Sequence, residues 1–235
     1  MSLREEGKRR RRRRIVEAAR VLIEDEGLEA FSMRRLAESA ALSTRTLYNL
    51  YGAKEDILFA LADECLDTID ALAHHADTPR DPLERSRALL VASLDQVAQN
   101  ADLFRALLRS VDVAELDARQ PGLMRRARIL HQSAIEDATK AGLIGEQIPA
   151  RLIAHQILAA YAAAVRQWSR DLLDFEELTA QVMHTWGLTL IAVARPDARE
   201  RLLREIRTHG ARVAATIDRM DALADAAEAS SPDPD

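Results

Sequence analysis

The chain has 235 residues, which is enough for one large domain or two small ones. Its composition is 48% hydrophobic with few aromatic residues and only eight glycines, which is typical of an all-helical protein. The net charge of −5 hides an asymmetry, because residues 1–58 carry 13 basic and 10 acidic side chains whereas the rest carry 20 and 28. A basic beginning on an acidic remainder predicts that only the beginning meets nucleic acid.

The sequence lacks the features of several other classes of protein. Its one cysteine, Cys65, is too few for an internal disulfide framework or a cysteine-rich metal site. No run approaches the roughly 20 apolar residues of a membrane span, and the N-terminus has no signal-peptide segment, so we expect a cytoplasmic protein. Nucleophile-elbow, zinc-helix and phosphate-loop motifs are missing, so we expect no enzyme, no cofactor and no metal.

Residues 1–14 are strongly basic, with eight basic and two acidic side chains that include six consecutive arginines. Because like charges repel, we expect a flexible arm. Such an arm would lie along phosphates or enter an adjacent minor groove, and Arg12 and Arg13 are its predicted DNA contacts. A solvated helix start that adds only non-specific attraction is an equal alternative.

Residues 15–56 predict a helix-turn-helix DNA-binding domain. A first helix, about 9–26, has apolar residues at the spacing of one buried face. Ser32 and Ser43 are each suited to begin a further short helix, because a serine hydroxyl accepts from the free N–H groups of an opening turn. In this motif the second short helix enters the DNA major groove.

The outward side chains of that second short helix suit base and phosphate recognition, and none of them is acidic. Arg45 can donate two hydrogen bonds to a guanine, while Tyr48 and Lys54 suit phosphates. A solvated face on an ordinary helical hairpin is the alternative. The predicted DNA-binding residues are Ser32, Arg34, Ser43, Thr44, Arg45, Thr46, Tyr48, Asn49 and Lys54, with Arg12 and Arg13 from the arm.

Residues 57–225 predict a larger helical domain. Apolar residues recur every three to four positions, and no stretch alternates as a strand would. Residues 226–235 predict a disordered acidic tail. Cap and stop residues place the helices at about 54–75, 82–99, 101–110, 121–141, 149–172, 175–194 and 197–225.

The N-terminal segments resemble the TetR-type bacterial transcriptional repressors. The matching runs are R-I-V-E-A-A-R-V-L-I-E-D-E-G (14–27), S-M-R-R-L-A-E-S-A-A-L-S (32–43) and T-L-Y-N-L-Y-G-A-K-E-D-I-L (46–58). The chain departs from the family at Ala41, where a turn glycine is usual, at Arg45, often a small residue, and at Leu50, often aromatic or histidine. The resemblance implies an N-terminal three-helix DNA-binding domain followed by a larger helical domain for ligand binding and dimerisation.

The resemblance also implies a ligand-responsive repressor that binds a palindromic operator as a homodimer. Its effector would be a small apolar or amphipathic molecule, and no membrane partner is expected. A non-specific or architectural DNA-binding protein without an effector is the alternative, and salt-dependent binding without sequence preference would favour it.

Two sites in the larger domain follow from the resemblance. The helices at about 149–172 and 175–194 would pair with those of a second chain, although the core of a monomer is the alternative. The predicted dimer-interface residues are Ile153, Ile157, Ala160, Ala164, Val182, Trp186 and Leu190. The predicted ligand-binding residues, each also compatible with plain core packing, are Phe104, Leu108, His131, Ile135, Tyr161, Val165 and Trp168.

Overall fold

The computed structural model describes residues 3–73, 79–110 and 121–229. Within these ranges the regular structure is helical apart from one isolated antiparallel bridge between Ile144 and Ala194, so the all-α prediction is confirmed. None of the described helices is long and apolar enough to cross a membrane. The helices in chain order are α1 (Leu3–Ala30), α2 (Met33–Ser39), α3 (Thr44–Leu50), α4 (Lys54–Ala73), α5 (Pro82–Gln99), α6 (Ala101–Ser110), α7 (Pro121–Lys140), α8 (Ala150–Ser169), α9 (Phe175–Ile191) and α10 (Pro196–Ala229).

The chain folds into two compact units, each made of two separate stretches of sequence. Unit 1 comprises residues 1–76 and 95–127, and unit 2 comprises residues 77–94 and 128–235. The predicted boundary at residue 57 does not follow this division, because α4 and α6 pack with the first three helices. Apolar periodicity places residues on a face of their own helix but does not say which helix that face meets.

Unit 1 has a core that fixes the two short helices α2 and α3. Ile15 and Ala19 of α1, Leu36 of α2 and Leu47 of α3 are completely or almost completely buried in it. Phe59 of α4 lies in the same core. A seven-residue helix is marginal on its own, so this burial holds α3 in place.

Unit 2 is built around the packing of α9 against α10 and α8. Gly187 lets α9 approach α10 closely, since a Cβ atom there would lie 2.8 Å from Cγ1 of Ile206. The indole of Trp186 donates to the Ser86 hydroxyl at 3.1 Å, so both buried polar groups are paired. Arg201 donates to Asp81 at 2.7 Å, which ties α10 to the start of α5 and holds the pKa of Asp81 below its ordinary value.

The helices extend further than predicted at both ends of the chain. Residues 3–14, for which a flexible arm and a solvated helix start were the two alternatives, continue α1, because arginine is a good helix former and its long side chain spreads its charge into solvent. α1 is interrupted at Gly27, whose φ of 77° is a positive value that glycine adopts without steric cost. α10 extends to Ala229, four residues into the predicted tail, and residues 230–235 lie outside the described part of the chain.

Candidate nucleic-acid interface

Serine caps begin both short helices, as the sequence predicts. The Ser32 hydroxyl accepts from the backbone N–H of Arg35 at 3.3 Å. The Ser43 hydroxyl accepts from the N–H of Thr46 at 3.1 Å and also contacts the Thr46 hydroxyl at 2.8 Å. Ser43 and Thr46 are therefore partly engaged with each other at the start of α3, before any DNA is present.

The turn between α2 and α3 passes through a left-handed residue. Ala41 has φ 48°, a conformation that glycine adopts without steric cost and alanine does not. The backbone is nevertheless tied down, because the N–H of Leu42 donates to the carbonyl of Ala37 at 2.9 Å. The turn therefore has the shape that a glycine would favour, although the sequence supplies alanine.

The outward face of α3 is exposed and carries no acidic side chain. Thr44, Arg45 and Asn49 are exposed, and Tyr48 is 53% exposed. Leu47, on the opposite side, is completely buried, so the orientation of the helix is fixed. This arrangement presents hydrogen-bonding groups from a rigid base, which is what reading of base edges in the major groove needs.

Two predicted contacts on neighbouring helices have partners within the chain. Arg34 forms an exposed ion pair with Glu38 at 3.3 Å, of the kind that contributes little to stability. The ammonium group of Lys54 lies 5.1 Å from the ring centre of Phe31. Both side chains remain near the solvent and can reorient towards a phosphate.

Arg12 and Arg13 differ in their surroundings. The Arg12 guanidinium donates to the carbonyl of Leu50 at 2.9 Å and lies 5.3 Å from the ring centre of Tyr51. Arg13 is exposed and forms no hydrogen bond or ion pair with a described residue. No sequence signal distinguishes two adjacent arginines, because the partners of Arg12 lie about forty positions away.

Most of the predicted dimer-interface residues are buried within the single chain. Ile153, Ile157, Ala164, Val182, Trp186 and Leu190 are at most 3% exposed in the single chain, and Ala160 is half-buried. The first six side chains are already occupied by packing within unit 2. The prediction took the most apolar stripes of α8 and α9, and such stripes are the ones that a chain buries in its own core.

The predicted ligand-binding residues are divided between the two units. Phe104 and Leu108 pack against the core of unit 1, whereas His131, Ile135, Tyr161, Val165 and Trp168 belong to unit 2. Among the described residues, unit 1 also has a surface cleft of about 290 Å³ bordered by Arg20, Asn100 and Asp102, which includes none of the predicted set.

His131, one of the predicted ligand-binding residues, is polar and almost completely buried. It is 3% exposed, and its Nδ1 atom has no hydrogen-bond partner. Burial lowers its pKa from 6.5 to about 4, so the imidazole is neutral near pH 7. A buried nitrogen without a partner costs free energy, which a ligand or a water molecule would recover.

Comparison with known proteins places the DNA-reading helices in a family. Residues 15–61 match the family described as bacterial regulatory proteins, tetR family. The HTH-type transcriptional regulator HbdR from Aromatoleum sp. (strain CIB) is 27% identical over 164 residues, which cover 68% of this chain and 71% of HbdR. The HTH-type transcriptional repressor KstR from Rhodococcus jostii (strain RHA1) is 30% identical over 108 residues, which cover 46% of this chain and 50% of KstR.

A solved structure supports the same fold over more of the chain. The structure of RolR in complex with resorcinol has a TM-score of 0.64 and 18% identity, and the likeness covers 84% of this chain and 95% of RolR. At this level of identity the likeness concerns the fold alone. The family match itself falls on the helices that carry the exposed, acid-free surface, so residues 15–61 form a DNA-binding domain of the type found in the tetR family of bacterial regulatory proteins.

Proposed function

We propose that the protein represses transcription by binding a two-fold symmetric operator as a homodimer, and that a small effector releases it from DNA. The observation that carries this proposal is the exposed, acid-free face of α3, held on a buried core beside an arginine-rich stretch of α1. A protein that reads DNA in a bacterium works in the cytoplasm, and we place it there.

The accessible faces of α8 and α9 are suited to pair with a second copy. On α8 the exposed side chains Leu152, Gln156, Ala159 and Ala163 recur at the spacing of one face. On the neighbouring α9, Leu188 is 48% exposed, and Gln181, Thr185 and Ala192 share its face. None of these side chains is charged, and the cores of protein interfaces are likewise poor in charged residues.

The proposed effector site lies in unit 2. Its proposed lining is His131 and Ile135, which share one face of α7, and Tyr161, Val165 and Trp168, which share one face of α8. The neutral imidazole of His131 offers a buried nitrogen atom that has no hydrogen-bond partner. Such a site suits an uncharged, largely apolar molecule with one polar group. RolR, which shares the fold, holds resorcinol in its structure.

Selection of bound duplexes from a random DNA pool tests the proposal directly. We expect a two-fold symmetric motif whose half-sites lie about one helical turn apart, roughly 10 base pairs, because paired recognition helices meet the groove at that spacing. Bound sequences without a shared motif would overturn the operator and favour the non-specific DNA-binding alternative.

A variant of α3, the proposed recognition helix, then tests whether its exposed face contacts the bases. We expect Arg45→Ala to weaken binding to the selected duplex by about 1–3 kcal/mol, or roughly 5- to 150-fold, because a lost base contact costs that much. The control is Arg207→Ala, which removes an exposed arginine of α10 in unit 2. Equal binding by both variants would exclude Arg45 as a base-reading residue.

A further inference from the structure

The arginine-rich stretch of α1 contains two kinds of side chain. Arg12 lies against the end of α3, where it donates to the carbonyl of Leu50 at 2.9 Å. The phenolic hydroxyl of Tyr51 donates back to the carbonyl of Arg12 at 3.5 Å, and the Arg12 guanidinium lies over the Tyr51 ring. Arg12 and the C-terminal end of the recognition helix therefore contact each other in three ways.

Arg14 makes a similar contact at the other end of α3. Its guanidinium donates to the carbonyl of Ala41 at 3.4 Å, in the turn that precedes the helix. All six arginines of the run are exposed, but Arg9, Arg10, Arg11 and Arg13 donate no hydrogen bond to the described backbone around α3. The run thus divides into arginines that donate to the backbone around α3 and arginines that make no such contact.

The contacts of Arg12 and Arg14 matter because α3 is short. With seven residues it has fewer than two turns, and the carbonyl groups of its last turn have no partner within the helix. A cation at this end satisfies one of those carbonyls and interacts favourably with the helix dipole. The guanidinium of Arg12 is planar, so this side chain can donate to Leu50 and stack on Tyr51 at the same time.

We propose that Arg12 is a positioning residue for sequence recognition, which fixes the orientation of α3, whereas the exposed Arg13 contacts DNA phosphate. The proposal rests on the DNA binding through α3 described above. It assigns different roles to two adjacent arginines. Arg12 acts by holding α3 in place, and Arg13 acts through its charge alone.

The test compares Arg12→Gln with Arg13→Gln, two neighbouring substitutions that each remove one charge. Binding is measured from 50 to 200 mM salt on a duplex selected by the wild-type protein and on a scrambled duplex of the same length. We expect Arg13→Gln to weaken both duplexes similarly and to reduce the salt slope by about one for each bound chain. We expect Arg12→Gln to keep the wild-type slope and to lower the preference for the selected duplex, by roughly tenfold if one base contact is misplaced.

Hydrogen exchange without DNA gives a second readout. Amide exchange in residues 44–51 should be faster in Arg12→Gln and unchanged in Arg13→Gln, because of these two arginines it is Arg12 that contacts the end of α3. If Arg12→Gln does not fold, Arg12→Lys takes its place: it keeps the charge but cannot stack and donate together. The lysine variant should also keep the salt slope and lose sequence preference.

Two results would overturn the assignment. A reduced salt slope with equal loss on both duplexes would make Arg12 a phosphate contact, and wild-type binding and exchange in Arg12→Gln would remove any role for it. Failure of the wild-type protein to prefer any duplex is a different result, because it contradicts the proposed operator binding. In that event the exchange of residues 44–51 still decides whether Arg12 holds α3.

Discussion

Ala41 shows how one residue sets the cost of the turn that leads into the recognition helix. Its φ of 48° places an alanine Cβ in a conformation that costs roughly 1–2 kcal/mol. Glycine avoids that cost but loses about 0.5–1 kcal/mol in backbone entropy. We therefore expect Ala41→Gly to raise the free energy of unfolding by up to about 1 kcal/mol, measured by urea denaturation.

The neighbouring residue provides the control for this substitution. Ala40 has φ −77° and is 2% exposed, so glycine there relieves no strain and removes a packed methyl group. Ala40→Gly should lower the free energy of unfolding by about 1 kcal/mol. If both substitutions destabilise the protein equally, the left-handed turn is not a source of strain.

His131 gives the stability of the protein a dependence on pH. Its pKa is about 4 when folded and 6.5 as the ordinary value, so between these values the unfolded chain binds the additional proton. Stability therefore falls as the pH drops from about 6.5 to 4, and at pH 5 the loss relative to pH 7 is about 2 kcal/mol. Urea denaturation of His131→Leu should show a decrease between pH 7 and pH 5 that is smaller by this amount.

A variant of the same helix separates the titration of His131 from a change in buried packing. Ile135 is completely buried on α7 and has no titratable group, so Ile135→Val should lower the free energy of unfolding by a similar amount at pH 7 and at pH 5. If His131→Leu retains the wild-type dependence on pH, the imidazole is hydrated or paired in solution, and it would lose its place in the proposed effector site.

Single residues also show which parts of the DNA-binding surface can be predicted from sequence. The Ser32 and Ser43 caps are confirmed because capping depends on residues three positions apart. The contact of Arg12 with Leu50 joins residues 38 positions apart and depends on how α1 crosses α3. Local patterns contain no information on such crossings.

At the scale of helices, the pairing of α9 with α10 depends on one glycine. A Cβ atom at Gly187 would lie 2.8 Å from Cγ1 of Ile206, so either the Ile206 side chain or one of the two helices would have to shift. We expect Gly187→Ala to lower the free energy of unfolding by about 1–3 kcal/mol, the usual cost of overpacking. Thermal denaturation followed by circular dichroism measures it.

Gly210 on the partner helix is the matched control. A Cβ atom there would lie 3.4 Å from the nearest atom of His184, which is ordinary contact. Alanine favours a helix interior over glycine, so Gly210→Ala should be neutral or stabilising by about 0.5–1 kcal/mol. A destabilising Gly210→Ala would mean that the two helices approach more closely along their whole length.

Sequence patterns predict where the helices begin and end better than they predict which helices pack against each other. Proline, glycine and cap residues place the start of α5 and the end of α7 correctly, with Asp81 accepting from the N–H groups of Leu83 and Glu84. α7 ends at Lys140, close to the predicted residue 141, and Gly142 follows it with a positive φ. The side chains of α8 and α9 assigned to a second chain are instead buried in their own, because an apolar stripe does not specify its partner.

At the scale of the whole molecule, sequence recognition needs two copies of α3 at a fixed spacing. One seven-residue helix reads only a few base pairs, so a symmetric pair is what makes an operator selective. The dimer is therefore a requirement of the proposed function, and the accessible apolar and polar side chains of α8 and α9 are the proposed place for it.

A charge placed on that face tests the dimer and the operator together. Leu188 is 48% exposed on α9, so Leu188→Glu leaves the core of unit 2 intact but places a carboxylate where the partner would exclude water. We expect sedimentation to show monomers at concentrations at which the wild-type protein is dimeric. Affinity for the two-fold duplex should fall to that for an isolated half-site, because the second recognition helix no longer binds at high effective concentration.

Val21→Glu provides the control. Val21 is 43% exposed on α1 of unit 1, so this substitution should leave the dimer unchanged. A dimer that survives Leu188→Glu would exclude this face as the interface. Wild-type protein that is monomeric, yet still selects a two-fold motif, would show that pairing occurs only on DNA.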